Sequence, residues 1–306
     1  MTIHHATPIV TRRIEFAHDD STLVGTLFAP RNAAGALPGI LVTGSWTTVK
    51  EQMAGLYARR MAAQGFAALA FDFAGFGESG GQPRDVESPA RKVRDIHAAV
   101  GALAEQPDVD EDRMGALAVC ASSGYTAINT AGDHRIRSLA LVAPWLHDAK
   151  LVREVYGGED SVRKRIEAGD RARAHYEQTG EVEYVPAVST SDQSAAMFGD
   201  FTYYLDSSRG AVPEWPNRFA VMSWPEWLHF DPIPTAGDVR VPTVVVHSAD
   251  AAVPDGARRF FDDLSSSKAI LWTTGTQLDF YDQEPNVTIA VDTAAAHFRR
   301  SLGDGR

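Results

Sequence analysis

Residues 120–124, Cys-Ala-Ser-Ser-Gly, lie at the seam between an apolar strand and a helix. A sharp strand-to-helix turn flanked by small residues pushes one side chain into an exposed, strained position, where a hydroxyl can act as a nucleophile. Read this way, Ser122 attacks and the Ser123 N–H, at the helix start, faces the developing oxyanion. Cys120 stands where such a motif has its first glycine, and Gly124 supplies the second. The alternative role for the two serines is helix capping. A second oxyanion donor is expected from the Gly44-Ser45-Trp46 turn, through the backbone N–H of Trp46. In "HSADAAVP" (247–254), Asp250 ends a buried strand four residues before Pro254, placed to orient a base. Its alternative is an acid at a helix N-terminus.

The elements that must hold these groups alternate along the chain. "RRIEFAH" and "STLVGTLFAP", split by "HDDS", predict a β-hairpin. Continuous apolar runs at 38–44, 66–73, 113–122, 136–146, 241–250 and 268–275 predict strands buried on both faces. Helical spacing is seen at 50–65 and 89–106, after Ser123, near 255–264 and in "NVTIAVDTAAAHFRRSL". This rhythm implies an α/β fold, with a mostly parallel central sheet and helices on both faces. The rhythm stops from 147 to 235, which reads as an inserted cap on a core of 1–146 and 236–306. An insertion there is expected over the carboxyl ends of the strands, where ligands of such sheets bind.

The bulk properties bound the partners. With 29 basic and 40 acidic residues the net charge is -11, which argues against nucleic acid and anionic membranes. No apolar run approaches membrane-span length, and "MTIHHATPIVTRRIEF" lacks the apolar core of a signal peptide. The single cysteine excludes an internal disulfide framework or a multi-cysteine metal site. A cytoplasmic protein acting on a largely apolar small molecule is expected, with a homodimer as one possible assembly. No metal or organic cofactor is implied: "GFGESGG" lacks the Lys-Ser/Thr ending of a phosphate-binding loop. Asp72, at a strand end, is expected to brace neighbouring loops.

Four blocks, "KEQMAGLYARRMAAQGFAALAFDFAGFGESGGQPR", "VDEDRMGALAVCASSGY", "HSADAAVPDGARRF" and "GTQLDFYD", resemble the α/β-hydrolase superfamily, and most of all bacterial dienelactone-hydrolase-like esterases. The resemblance implies Ser122 as nucleophile, Asp250 as acid, and the Trp46 and Ser123 amides as oxyanion hole, acting on an ester, thioester or lactone. It also implies a histidine in the last block, where this chain has Gln277. A carboxamide does not titrate near neutral pH and cannot carry the serine proton. Three readings follow: an impaired hydrolase, a base supplied by His147, His229 or His247, or different chemistry such as cyclisation, elimination or isomerisation in a pocket of the same fold. A catalytically silent ligand-binding protein is a further alternative. Aromatic residues crowd the cap, and with Trp46 and Trp145 the substrate contacts are expected from Phe201, Tyr204, Trp224 and Trp227.

Overall fold

The computed structural model describes residues 8–303. The first seven residues, part of the segment read as having no signal-peptide core, lie outside the described residues. Strands β1 (Ile9–His18) and β2 (Ser21–Pro30) form the expected antiparallel hairpin, turning at Asp19 and Asp20. There follow β3 (Leu37–Thr43), α1 (Met53–Ala63), β4 (Ala67–Phe71), α2 (Pro89–Ala104), β5 (Val109–Val119), α3 (Ser122–Gly132) and β6 (Ile136–Val142). The stretch expected to break the rhythm carries α4 (Ala149–Val155), α5 (Glu159–Thr179), β7 (Tyr184–Pro186), β8 (Val188–Ser189), β9 (Met197–Phe198), α6 (Thr202–Leu205), β10 (Arg218–Ala220) and α7 (Trp224–His229). The chain then returns through β11 (Thr243–Ser248), α8 (Pro254–Asp263), β12 (Lys268–Thr273), α9 (Asp279–Asp282) and α10 (Asn286–Leu302).

The main sheet has eight strands in the order β1-β2-β4-β3-β5-β6-β11-β12. Only the β1–β2 and β2–β4 pairs are antiparallel. All residues of β4 and β11 are buried, because helices cover both faces of a parallel sheet and leave no solvent side for polar residues. Helix α10 packs through Val287, Ala290, Val291, Ala294 and Phe298, an i, i+3, i+4 stripe. Its approach to the sheet explains Gly115, where a Cβ would stand 2.8 Å from the Phe298 ring.

Two boundaries differ from the sequence reading, and both matter for the site. Helix α1 begins at Met53 rather than near residue 50. Lys50 is held elsewhere: its N–H donates to Asp72 Oδ1 at 2.7 Å and its ammonium to Asp72 Oδ2 at 2.8 Å. Asp72 also accepts from the Glu78 N–H at 3.0 Å, and its carbonyl takes the Ser79 hydroxyl at 2.6 Å, so it braces two loops as expected. Glu51 and Glu78 complete an acidic ring, and the Lys50 ammonium is the cation at its centre. Strand β5 ends at Val119, three residues earlier than the apolar run suggested, and α3 already includes Ser122.

Burial raises the Asp72 pKa and the Lys50 ammonium opposes that rise. Removing one partner of a buried pair strands the other charge, at a cost of about 3–5 kcal/mol. Asp72→Ala is therefore expected to lower stability by about that much. A urea midpoint within error of the parent protein would refute the bracing role.

Candidate active site

Cys120 forms the turn between β5 and α3, with φ at +60°. A left-handed backbone costs a non-glycine residue roughly 1–2 kcal/mol, so it persists only where its surroundings impose it. Here the Cys120 N–H donates to the Val142 carbonyl at 3.0 Å, continuing the sheet. Its own carbonyl accepts the Ser123 N–H at 3.1 Å and the Trp145 N–H at 3.0 Å. The side chain lines a cavity of about 740 Å³ between the sheet and the insertion, within the range of small-molecule sites.

Ser122 and Ser123, expected as nucleophile and oxyanion donor, are not brought to the cavity. Ser122 is fully buried inside the first turn of α3, its hydroxyl has no hydrogen-bond partner, and it does not line the cavity. Ser123 spends its N–H on the turn. The physical reason is the early end of β5, which puts Cys120, with the small residues Ala118 and Ser122 two positions to either side, at the strand-to-helix turn. Gly124 answers to packing instead, since a Cβ there would lie 2.8 Å from the Phe230 ring.

The backbone N–H after the turn residue belongs to Ala121, which lines the cavity beside Cys120 and pulls its thiol pKa down. Trp46, the residue expected to carry the second donor, lines the cavity on the loop after β3. Its loop is fixed from behind. Thr47 has φ at +59°, its N–H donates to Glu87 Oε2 at 2.9 Å, and its carbonyl accepts the Trp215 indole at 2.8 Å. Glu87 in turn pairs with the buried Lys92 ammonium at 2.7 Å and accepts from Tyr125 at 2.8 Å. The insertion ties into the same loop: Gln52 Nε2 donates to the Gly210 carbonyl at 2.6 Å, and Tyr204 donates to Ser45 Oγ at 3.1 Å.

Gln277 lines the cavity and faces the Cys120 thiol. Its carboxamide is held at both ends: Oε1 accepts the Ala252 N–H at 3.0 Å and Nε2 donates to the Ala143 carbonyl at 2.9 Å. Asp250 lines the same wall with an exposed side chain. Ser45 and Tyr281 also face the thiol, and their hydroxyls are 3.0 Å apart. Burial pushes the Cys120 thiol up from its ordinary pKa, against the pull of these hydroxyls, the Ala121 N–H and Gln277.

None of the three histidines considered as a base lines the cavity. His147 is buried, accepts the Trp145 indole N–H at Nδ1 (2.8 Å), and donates from Nε2 to the Trp227 carbonyl (3.0 Å). Burial lowers its pKa to about 4, so it is a neutral strut beneath two tryptophans. His247 is buried against Trp272, and burial also lowers its pKa to about 4. His229 is exposed on an outer groove. Of the expected substrate contacts, Trp46, Trp145, Phe201, Tyr204 and Trp227 line the cavity. Trp224 does not; it stands behind Trp46, ring centroids 5.9 Å apart. Sequence reasoning missed Cys120 as the turn residue, the hydroxyls of Ser45 and Tyr281, and Arg165, a cavity-lining cation that packs on Tyr156 and Trp224. A lone cysteine at the end of an apolar strand was the signal for the first.

A thiol whose pKa is raised carries less thiolate at neutral pH than a free cysteine, and thiolate is the alkylated form. Iodoacetamide is therefore expected to modify this protein once, at Cys120, more slowly than free cysteine at pH 7, with a rate still climbing above pH 9. A rate that levels off near pH 7 would show a thiolate stabilised in the resting site.

A family model described as serine aminopeptidase, S33 (Hydrolase_4) matches residues 51–169. The chain is 30% identical over 268 residues to the uncharacterized protein YcjY of Escherichia coli K12, covering 83% of this chain and 85% of that protein. It is 26% identical over 273 residues to the polyketide transferase ClaH of Penicillium crustosum, covering 84% and 87% respectively. The crystal structure of hypothetical protein PA2218 from Pseudomonas aeruginosa matches with a TM-score of 0.85 at 25% identity, over 96% of this chain and 94% of that one. By its sheet order, its turn between β5 and α3 and these likenesses, the chain belongs to the α/β-hydrolase family, a family of hydrolase-type enzymes.

Proposed function

We propose that the protein transfers acyl groups through Cys120, acting on thioesters, activated esters or lactones of small to medium, largely apolar acids. The observation that carries this reading is the left-handed Cys120 at the strand-to-helix turn, its side chain in an aromatic cavity that Trp46 and Ala121 also line; the backbone amides of those two residues are the proposed oxyanion hole. Attack by sulfur gives a thioester on Cys120, and the two amides stabilise the tetrahedral oxyanion on the way. The printed name of ClaH, polyketide transferase, agrees with acyl chemistry of this class.

Gln277 shapes what happens next. It stands on the cavity wall where the family resemblance calls for histidine, and both ends of its amide are bonded to backbone. It cannot activate water, so hydrolysis of the acyl-enzyme is slow. A better nucleophile, on a second substrate or further along the same acyl chain, then takes the acyl group. Transfer and ring closure are thus favoured over the simple esterase outcome, and lactone specificity of the dienelactone type is one member of this range.

The reading is tested by intact-mass measurement after mixing with an N-acetylcysteamine thioester of a medium-chain acid. The parent protein and Ser122→Ala are expected to gain one acyl group, and Cys120→Ala none, with turnover down by on the order of 10⁴-fold or more. An adduct that survives in Cys120→Ala, or is lost in a folded Ser122→Ala, would overturn the assignment. Gln277→His restores a titrating ring to the wall and is expected to raise thioester hydrolysis by on the order of 10²-fold. No gain would mean that water, rather than its activation, is excluded from this site.

A further inference from the structure

Attack by a neutral thiol releases a proton, and the site has to pass it on. Of the side chains facing the Cys120 sulfur, Gln277 has both polar ends committed to backbone, whereas Ser45 and Tyr281 carry hydroxyls. Tyr204 donates to Ser45 Oγ at 3.1 Å, and Ser45 Oγ lies 3.0 Å from the Tyr281 hydroxyl. Because the Tyr204 proton occupies one lone pair of Ser45, the single Ser45 proton is free to point at Tyr281 Oη. The phenolic proton of Tyr281 is then the one left for the sulfur or for a bound substrate.

The surroundings hold Tyr281 in this position. Its predecessor Phe280 accepts the Tyr57 hydroxyl at 2.7 Å through its carbonyl. Its successor Asp282 is gripped by Arg209, with one contact of 2.8 Å from Nε and a second from Nη2. The Tyr281 ring meets Tyr203 edge-on, centroids 5.0 Å apart. Tyr281, Ser45 and Cys120 line one cavity, which places the phenol beside both the thiol and the space for an acyl donor.

Resting on Cys120 as nucleophile, we propose that Tyr281, aligned by Ser45 and Tyr204, is the proton carrier of the acyl-transfer step. As the sulfur bonds to the acyl carbon, the S–H proton passes to Tyr281 Oη. The phenolic proton passes in the same event to the sulfur or oxygen of the leaving group, whose bond to the acyl carbon breaks when the tetrahedral oxyanion collapses. The cysteine ends as a thioester, the leaving group as a neutral thiol or alcohol, and Tyr281 is unchanged. Burial raises the Tyr281 pKa far above its ordinary value, which disfavours a free phenolate and requires both transfers to be concerted. The device selects its substrates: an alkyl thioester or ester, whose leaving group needs a proton, depends on it. An aryl thioester does not: the thiol proton is lost to solvent beforehand, the thiolate attacks, and the aryl thiolate departs as an anion.

The test compares acylation rates of Cys120 by alkyl and aryl thioesters of one acid, read by intact mass in a rapid-quench series. Tyr281→Phe is expected to slow the alkyl thioester by on the order of 10²–10³-fold and the aryl thioester by less than about 10-fold. It is also expected to remove the solvent deuterium isotope effect on the alkyl reaction. Ser45→Ala, which leaves the phenol in place but unaligned, is expected to show a smaller loss with the same leaving-group dependence. Equal losses for the two thioesters in both variants would mean that Tyr281 only packs the site, and would overturn the relay while leaving Cys120 as nucleophile. If Cys120 of the parent protein takes no acyl group, the nucleophile reading and the relay both fall.

Discussion

The left-handed backbone of Cys120 is the constraint on which the rest of the site depends. Three hydrogen bonds, to Val142, Ser123 and Trp145, outweigh its roughly 1–2 kcal/mol of strain. They join β5 to β6, to α3 and to the start of the insertion. Since the turn is fixed by the sheet, the sulfur is presented at the carboxyl end of the strands without depending on any loop. The same turn releases the Ala121 N–H from the helix ladder toward the sulfur. The positions of the sulfur and of this N–H are thus two outcomes of one backbone angle.

Opposite this fixed point stands a loop with little regular structure of its own, residues 44–52. Its order comes from buried charge. Glu87, paired with Lys92 among the rings of Phe73, Phe76 and Tyr125, takes up the Thr47 N–H. Asp72 and Lys50 hold the other end. Buried ion pairs add little net stability against apolar replacements, but breaking one is expensive, so they fix geometry well. The loop that presents the Trp46 amide is held between two such pairs.

The sheet was legible because its strands are buried on both faces and are written as apolar runs; β4, β6 and β11 emerge within a few residues of where the runs lie. The hairpin and α10 were equally plain, since their periodicities serve one apolar face each. The end of β5 was not legible. Ala121 and Ser122 are as small and uncharged as the strand before them, and the transition from strand to helix is made by a dihedral angle rather than by a change in polarity. Gly124 anchors the motif in the sequence reading, and in the structure its lack of a side chain serves the contact with Phe230. Trp224 was misplaced for a related reason: composition shows an aromatic cluster but not which ring faces the cavity and which supports it. Tyr281 was present in the resembling block "GTQLDFYD", and its nearness to Ser45, 236 residues away, belongs to the tertiary fold alone.

The bonds from Gln52 to Gly210, from Trp215 to Thr47 and from Tyr204 to Ser45 run between the insertion and the loop after β3. In an evolutionary exchange of parts, these two segments would have to travel together. A graft that brought a relative's insertion, but kept this loop, would lose the partners that hold the loop carrying Trp46. Diversification of substrate in such a scaffold is therefore expected to proceed by paired drift of two distant stretches of chain, and the cavity wall alone is the wrong unit to transplant.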